Sequence, residues 1–170
     1  MLKLKVANIV QDSTVDGPGF RVTIFTQGCL QRCLGCHNPL TQDLKGGIEL
    51  TSLEVIEKCL NNPLARGITL SGGEPFLQSE ALLEVIKGIK KVKPHYDFIA
   101  YSGYLYEDLL KKENCRQLLD ELDILIDGPF VLEQKDLLLW FRGSSNQRVI
   151  DLKKTKELGC IIEYDFKKEY

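Results

Sequence analysis

The sequence lacks the features that would point to a membrane or a nucleic acid. No apolar run approaches the ~20 residues that a membrane helix needs, and the densest short run covers residues 137–141. Residues 1–10 alternate lysine with apolar residues and have no continuous apolar core, so we expect no secretory signal there. The 22 basic and 24 acidic residues nearly balance, which argues against broad binding of phosphate backbones. We therefore expect a cytoplasmic protein with no membrane and no nucleic acid among its partners.

Six cysteines are present, and disulfides are rare in a reducing cytoplasm. Clustered cysteines in such a compartment more often bind metal or carry out redox chemistry. Cys29, Cys33 and Cys36 form a C-x3-C-x2-C pattern directly after an apolar strand. Three thiolates in one loop can each bond a different iron of a cubane, which leaves the fourth iron open to a substrate. The other cysteines stand alone on helical or strand patterns and are predicted to be small buried hydrophobic residues: Cys59, Cys115 and Cys160.

Three other interpretations of the cysteine loop stay open at this stage. The three cysteines could bind a structural zinc together with His37, although Cys36 and His37 are adjacent, which makes joint tetrahedral ligation awkward. Residues 33–37 also match the Cys-x-x-Cys-His pattern of c-type haem attachment, which an export signal would have to accompany. A thioredoxin-like dithiol at Cys33 and Cys36 is the third interpretation, and it leaves Cys29 unexplained.

Hydrophobic patterning predicts strands that alternate with helices. The predicted strands are, in chain order, residues 20–26, 68–70, 98–101 and 123–126, with 147–150 and 161–164 as further candidates. This alternation predicts an α/β fold with a mainly parallel sheet. A complete eightfold barrel takes ~250 residues. The 170 residues of this chain therefore build only part of one, and the absence of any linker-like segment predicts a single domain over residues 1–170.

Helix ends are marked by capping residues and by proline. Thr51 begins a helix with a capping box, and Ser79 is the predicted N-cap of a second helix that stops at Pro94. Residues 105–122 are predicted to be helical with an interruption near Asn114.

Unusual residues follow each of the four main strands. Residues 29–36 follow the first strand, 71–75 the second, Ser102 and Gly103 the third, and 127–129 the fourth. The carboxyl ends of parallel strands meet at one edge of a sheet, where ligands and catalytic groups assemble. We therefore expect these scattered segments to form one site.

Two of these segments carry a family resemblance. With C-x3-C-x2-C after the first strand and Ser-Gly-Gly-Glu-Pro at residues 71–75 after the second, the chain resembles the radical S-adenosylmethionine (radical SAM) superfamily. Asp-Gly-Pro-Gly-Phe-Arg at 16–21, Gln-Gly-Cys at 27–29 and Cys-His-Asn-Pro at 36–39 look like those of glycyl-radical-enzyme activases.

Two later motifs narrow the resemblance. Asp-Gly-Pro-Phe at 127–130 and Arg-Gly-Ser-Ser-Asn-Gln at 142–147 are similar to the anaerobic ribonucleoside-triphosphate reductase activating proteins, and the resemblance spans roughly residues 16–149. Cys-His-Asn-Pro is equally similar to pyruvate formate-lyase activases, which are usually longer and lack the segment at 142–147. Activation of a different glycyl-radical enzyme is therefore the alternative.

The resemblance implies a partial (β/α) barrel of the radical SAM type that holds a 4Fe-4S cluster. Cys29, Cys33 and Cys36 would ligate the cluster, and its open iron would chelate the amine and carboxylate of S-adenosylmethionine. Gly35 and His37 flank the last ligand and would contact this cofactor. For His37, capping or packing is the alternative role.

Four further residues would contact S-adenosylmethionine if the resemblance holds. Gly72 and Gly73 would let the backbone approach its methionyl part, where a side chain would block the way. Glu74 would accept hydrogen bonds from the amine, and Ser102 would touch the ribose or the carboxylate. A turn-forming role is the alternative for Glu74 and Ser102.

The implied reaction is reductive cleavage of S-adenosylmethionine, after which a 5'-deoxyadenosyl radical removes a Cα hydrogen from a glycine of a partner. The resemblance implies anaerobic ribonucleoside-triphosphate reductase as this partner and a reduced flavodoxin-type protein as the electron donor. Residues 16–19 and 142–147 are candidates for partner or cofactor contacts, with a tight turn and a polar loop as alternatives. The competing hypothesis from another class is a non-catalytic zinc or dithiol binding module.

Overall fold

The computed structural model describes residues 1–169, which fold around one seven-stranded sheet. The strands are β1 (Lys3–Ser13), β2 (Arg21–Thr26), β3 (Ile48–Thr51), β4 (Gly67–Gly72), β5 (Asp97–Ser102), β6 (Ile124–Asp127) and β7 (Arg148–Asp151). The α-helices are α1 (Ser52–Leu60), α2 (Ser79–Val92), α3 (Tyr106–Leu109), α4 (Glu113–Leu119) and α5 (Leu152–Leu158). Across the sheet the strands lie in the order β3-β1-β2-β4-β5-β6-β7.

The four central strands, β2, β4, β5 and β6, run parallel to one another. On one side β1 pairs antiparallel with β2 and carries β3 outside it, and on the other side β7 pairs antiparallel with β6. The predicted α/β fold is thus confirmed, with a sheet that is parallel at its centre and antiparallel at its flanks. The sheet is open, because β3 and β7 lie at its two edges.

Two of the predicted helix signals are confirmed and one is wrong. Thr51 forms the capping box of α1, and α2 ends at Val92, just before Pro94. Ser79 is not an N-cap, because the 3-10 turn Pro75–Gln78 runs directly into α2. The hydroxyl of Ser79 donates instead to the carbonyl of Phe76 at 2.8 Å. Among the helices within residues 1–169, none is long and apolar enough for a membrane span.

The helical region 105–122 breaks earlier than predicted. Its break lies at residues 110–112, between α3 and α4, and Asn114 is already inside α4. The N–H of Lys112 bonds to the carbonyl of Leu109 at 3.2 Å, a three-residue step that ends the α-helical ladder there.

Strand content differs from the prediction at both ends of the chain. Residues 161–164 form no strand and contribute only an isolated bridge between Glu163 and Ile150 of the four-residue β7. The antiparallel strands β1 and β3 were not predicted, although Leu4 and Val6 of β1 are both buried in the core. The short α5 was missed too, despite an N-cap at Asp151, whose carboxylate accepts the N–H of Lys154 at 3.0 Å.

The two faces of the sheet differ in chemistry. Helices α1, α2 and α4 cover one face, where side chains such as Val22, Ile68 and Phe98 are fully buried in the main core. The opposite face carries a smaller apolar cluster around Ile99 and Ile126, beside several buried polar groups. Of the three isolated cysteines, Cys59 and Cys115 are buried in the main core as predicted. Cys160 is exposed, so its predicted burial is wrong.

On this second face Arg21 is fully buried. Its Nη1 lies 2.5 Å from Oδ1 of Asp97, and its other nitrogens donate to the Thr69 hydroxyl at 2.8 Å and to the Ile68 carbonyl at 2.9 Å. Burial lowers the pKa of Arg21, and the negative charge of Asp97 opposes this shift. The guanidinium therefore ties β2, β4 and β5 together from inside the sheet.

Replacing this buried cation should be costly for the fold. Arg21→Met removes one partner of a buried ion pair, and we expect the free energy of unfolding to fall by about 3 kcal/mol in urea denaturation. Arg66→Met is the matched control, because Arg66 bonds the other oxygen of Asp97 at 2.9 Å from a side chain that is 46% exposed. That control should cost under about 1 kcal/mol. Equal losses in the two variants would contradict a structural role for burial of Arg21.

Candidate functional site

The predicted site segments meet at the carboxyl edge of the parallel strands. The cysteine loop leaves β2, the Gly-Gly motif ends β4, Ser102 ends β5 and Asp127 ends β6. A cavity of about 670 Å³ opens beside them on the second face of the sheet. The residues that matter most along its wall are Asp16, His37, Asn38, Ser71, Tyr101 and Arg142.

Each thiol of the cysteine loop is free and half-buried. Backbone N–H groups of Gln31 and Arg32 donate to the sulfur of Cys29, and the N–H of Asn38 donates to the sulfur of Cys36 at 3.4 Å. Burial raises the pKa of the Cys29 thiol, and the two N–H donors oppose that shift. Such N–H···S contacts are typical of sulfurs that carry negative charge as ligands of iron.

These thiols share a loop, but they are not drawn together. Within residues 1–169, no three side chains of histidine, cysteine, aspartate or glutamate converge closely enough to hold a metal ion. His37 is exposed and packs edge-on against Phe130 at a ring-centroid distance of 5.2 Å. As a donor set, three free thiols on one loop with N–H groups at two sulfurs suit an iron-sulfur cluster.

Gln27 closes the cysteine loop at its base. Its buried amide nitrogen donates to the carbonyl of Leu40 at 3.0 Å and to that of Asp43 at 2.7 Å, so one side chain spans both ends of the loop. The N–H of Gly28 adds a bond to Thr41 at 2.7 Å. Gln27 belongs to the Gln-Gly-Cys motif at 27–29, but the sequence predicted no role for it, and only the closed loop reveals one.

The Gly-Gly motif packs against the same base. A Cβ on Gly73 would lie 2.3 Å from the carbonyl oxygen of Gly28, and one on Gly72 would lie 2.5 Å from the nitrogen of Thr26. Gly72 also has a φ of +96°, which favours glycine. The chain's own backbone therefore requires glycine at both positions, independently of any cofactor.

Glu74 is buried behind this motif, and its exposed fraction is 1%. Its carboxylate accepts the Ser102 hydroxyl at 3.0 Å, the N–H of Gly103 at 2.8 Å and the N–H of Phe76 at 3.1 Å. Burial raises the pKa of Glu74 to about 7, although these hydrogen bonds favour the charged form. Glu74 and Ser102 thus link the ends of β4 and β5, and neither is among the residues that line the cavity.

The segment at 142–147 forms a polar loop that supports the cavity wall. Arg142 donates to the carbonyl of Gln147 at 2.6 Å, and the Gln147 side chain accepts the N–H of Gly143 at 2.8 Å. Asn146 donates to the carbonyl of Pro129 at 2.8 Å, which holds the strand end after β6 in place. This segment lies beside His37, because a Cβ on Gly143 would lie 3.2 Å from Nε2 of His37, and the Phe130 ring packs between Gly143 and Gly35.

The turn at 16–19 packs under the cavity. Asp16 accepts the hydroxyl of Thr23 at 3.1 Å, and its carbonyl accepts the hydroxyl of Thr69 at 2.8 Å. A Cβ on Gly17 would lie 2.8 Å from the buried side chain of Arg21, so glycine is required there too. Asp16 is both a cavity residue and part of a tight turn.

Asn38 and Tyr101 are two of several cavity residues that the sequence did not predict. Asn38 lies in the Cys-His-Asn-Pro motif at 36–39, and its position two residues after Cys36 is the sequence signal that could have predicted it. Tyr101 ends a predicted strand just before Ser102, and its hydroxyl donates to the carbonyl of Phe141 at 2.6 Å.

Removing the Gln27 amide should loosen the hold of the loop on iron. Gln27→Met keeps the length of the side chain and removes both donors. Outer-shell changes of this kind typically cost about 10- to 100-fold in metal affinity. We expect the reconstituted variant to lose its iron-sulfur absorbance at a chelator concentration at least about tenfold lower. Asn62→Ala is the control, because its amide also bonds to backbone groups but lies before the start of β4, far from the cysteine loop. This variant should behave like the wild type. Equal retention of iron by Gln27→Met would contradict the proposed closure.

The raised pKa of Glu74 predicts a pH dependence of stability. Between the ordinary pKa of 4.5 and about 7, the folded chain holds this proton and the unfolded chain releases it. The free energy of unfolding should therefore fall as pH rises through this window, by roughly 3 kcal/mol relative to Glu74→Gln. Denaturation of the iron-free chains at pH 4.5 and 7.5 measures the difference. Parallel pH profiles for the two proteins would refute it.

The chain is similar in sequence to known proteins over most of its length. The chain matches the family described as 4Fe-4S single cluster domain over residues 15–150. It is 35% identical over 139 residues to the anaerobic ribonucleoside-triphosphate reductase-activating protein of Haemophilus influenzae, covering 78% of this chain and 88% of that protein. Identity to the protein of the same name from Escherichia coli K12 is 34% over 146 residues, covering 82% and 93%. Identity to the pyruvate formate-lyase-activating enzyme of Clostridium pasteurianum is 39% over 135 residues, covering 75% of this chain and 56% of that longer protein.

The matched range contains the structural features described above. The cysteine loop at 29–36, the Gly-Gly motif at 71–75 and the polar loop at 142–147 all lie within residues 15–150. The similarity to activating proteins extends over most of the length of both chains. The resemblance stated from the sequence is therefore confirmed. The chain belongs to the 4Fe-4S single cluster domain family and to the family of anaerobic ribonucleoside-triphosphate reductase-activating proteins.

Proposed function

We propose that this chain is a radical SAM activase that generates a glycyl radical on anaerobic ribonucleoside-triphosphate reductase. The observation that carries the proposal is the position of the cysteine loop, at the carboxyl edge of the parallel strands and beside a cavity of about 670 Å³. This is the edge at which α/β proteins bind ligands. Relatives that match most of the chain are activating proteins of this reductase.

Cys29, Cys33 and Cys36 would hold a 4Fe-4S cluster, since their thiols are free and share one loop. When bound and reduced, the cluster would supply the one electron for cleavage of S-adenosylmethionine to methionine and 5'-deoxyadenosine, the latter with one hydrogen atom taken from a glycine of the partner. The chain's own contribution is to fix the loop through Gln27 and to keep one side of the cavity open.

The residues proposed to contact S-adenosylmethionine surround the cysteine loop. They are Gly35, Cys36, His37, Gly72, Gly73, Glu74 and Ser102. Of these, His37 lines the cavity. Oε2 of Glu74 accepts a hydrogen bond from Gly103, and a carboxylate oxygen has a further lone pair that a donor such as an amine could use. Ser102 would act through Glu74, because its hydroxyl is already bonded there.

Several broader features belong to the same proposal. The parallel centre of the sheet would represent part of a radical SAM (β/α) barrel, with residues 1–170 as a single domain. A reduced flavodoxin-type protein would donate the electron, and the protein would act in the cytoplasm.

A second candidate is activation of pyruvate formate-lyase. The 39% identity to the activating enzyme of Clostridium pasteurianum favours it, as does the Cys-His-Asn-Pro sequence at 36–39. The chain spans 56% of that enzyme, whereas it spans 88% of the reductase-activating protein of Haemophilus influenzae. We therefore place the reductase first.

The experiment mixes the anaerobically reconstituted chain, S-adenosylmethionine and dithionite with each glycyl-radical enzyme in turn. A glycyl-radical doublet in the electron paramagnetic resonance spectrum is expected with the reductase. Cys33→Ala should abolish both this signal and the formation of 5'-deoxyadenosine, because one cluster ligand is lost. Cys160→Ala, which removes an exposed thiol outside the loop, should retain both.

Three outcomes would redirect the proposal. A doublet with pyruvate formate-lyase alone would favour the second candidate. Binding of one zinc without iron, sulfide or 5'-deoxyadenosine would favour the non-catalytic module. Full activity in Cys33→Ala would remove the assigned cluster site.

A further inference from the structure

We propose that three consecutive leucines at the mouth of the cavity form the surface that receives the glycine-bearing segment of the protein substrate. We call Leu137, Leu138 and Leu139 the leucine rim. This inference rests on the proposed function and adds to it the place where the partner docks and the chemistry of the segment that docks there.

The leucine rim combines exposure with contact to the cavity. Leu137 is 83% exposed and Leu138 is 88% exposed, while Leu137 and Leu139 both line the cavity. Val15, which is 75% exposed, lines the same cavity from the 14–16 segment. Exposed apolar groups that cluster at a cavity mouth mark interaction surfaces, whereas single exposed leucines are common and need no explanation.

The backbone on the carboxyl side of the rim is fixed to the sheet and to the end of the chain. The Tyr101 hydroxyl donates to the carbonyl of Phe141 at 2.6 Å, and the Phe141 ring packs against Phe166 at a centroid distance of 4.8 Å. Phe141 has a φ of +54°, a backbone conformation that residues other than glycine rarely adopt.

The backbone on the amino side of the rim is fixed as well. The N–H of Asp136 bonds to the carbonyl of Gly143 at 3.3 Å, and the Asp136 carboxylate accepts the N–H of Leu138 at 2.8 Å. The leucines therefore project from a braced turn, and they need little ordering when a partner binds.

The occupant follows from the cavity that the rim borders. His37 and Asn38, the two residues after Cys36, line the same cavity as Leu137 and Leu139. A partner glycine that enters this cavity comes within reach of both the rim and the residues that follow Cys36. The three rim side chains carry no charge, so the fitting segment is an extended or turned strand with apolar residues beside the glycine. A charged group packed directly against these three leucines would lose its hydration, whereas the charged side chains of the cavity, such as Asp16 and Arg142, lie elsewhere on its wall.

The test uses the cluster-loaded chain and intact anaerobic ribonucleoside-triphosphate reductase. In Leu137→Ser/Leu138→Ser, the reductase concentration that gives half-maximal glycyl radical should rise at least about tenfold, as expected for loss of an interface anchor. Formation of 5'-deoxyadenosine without the reductase should stay within about twofold of the wild type, a change of under half a kcal/mol in the barrier. This separates docking from chemistry.

Matched controls come from exposed leucines outside the cavity. Leu64→Ser and Leu158→Ser replace side chains that are 72% and 65% exposed and lie away from the cavity wall, and both should leave radical formation unchanged. If the double variant folds poorly by thermal melting, Leu138→Ser alone provides the comparison, because this side chain is the most exposed of the three.

The outcomes are distinct. Unchanged dependence on reductase in the double variant overturns the docking surface and leaves the proposed function standing. Absence of 5'-deoxyadenosine and of any glycyl radical in the wild type overturns the proposed function itself. A wild-type dimer in analytical ultracentrifugation that becomes monomeric in the double variant assigns the rim to a second copy of this chain, and this also overturns the proposal.

Discussion

A close approach of two backbone segments organises the candidate site. The Gly73 position touches the carbonyl of Gly28 so closely that no side chain fits between the two, and the N–H of Glu74 bonds to the same carbonyl at 2.8 Å. The end of β4 is thereby held against the start of the cysteine loop. Through Glu74, the same contact extends to Ser102 and Gly103 at the end of β5. Three parallel strands thus end on one hydrogen-bonded network.

This network explains why motifs far apart in sequence act together. Gly72 and Gly73 are required by the fold, and the proposed cofactor contacts use a backbone that the fold has already brought close. The cation of Arg21 performs the corresponding task deeper in the second face, where it joins β2, β4 and β5 without reaching the cavity wall. Two separate groups of buried polar side chains therefore join the parallel strands, one around Arg21 within the sheet and one around Glu74 at the strand ends.

The parallel centre of the fold could be predicted from the sequence, and the antiparallel flanks could not. The central strands are short apolar runs between helical patterns, and this signal is strong. The strand β1 alternates lysine with apolar residues, and residues 1–10 were expected only to lack a secretory signal, so the pairing of β1 with β2 was not predicted. Register between distant strands depends on tertiary contacts that local patterning does not encode.

The site shows a similar division between local motifs and long-range contacts. The cysteine loop and the Gly-Gly motif carry distinctive residues at fixed spacing, and their convergence followed from parallel strand order. The roles of Gln27 and Tyr101 depend on partners that lie 13 to 40 residues away, so spacing alone could not reveal them. Ser79 illustrates the opposite error, because its residue type predicted an N-cap, whereas the preceding turn starts the helix one residue earlier and makes Ser79 its first helical residue.

Closure of the cysteine loop at its base has a consequence for protein engineering. Gln27, Gly28 and their carbonyl partners complete a ring of hydrogen bonds at the neck, so the end of β2 is held independently of the residues at the tip of the loop. Single residues between the thiols can then be exchanged while β2 keeps its register, provided that the spacing of the three cysteines is kept.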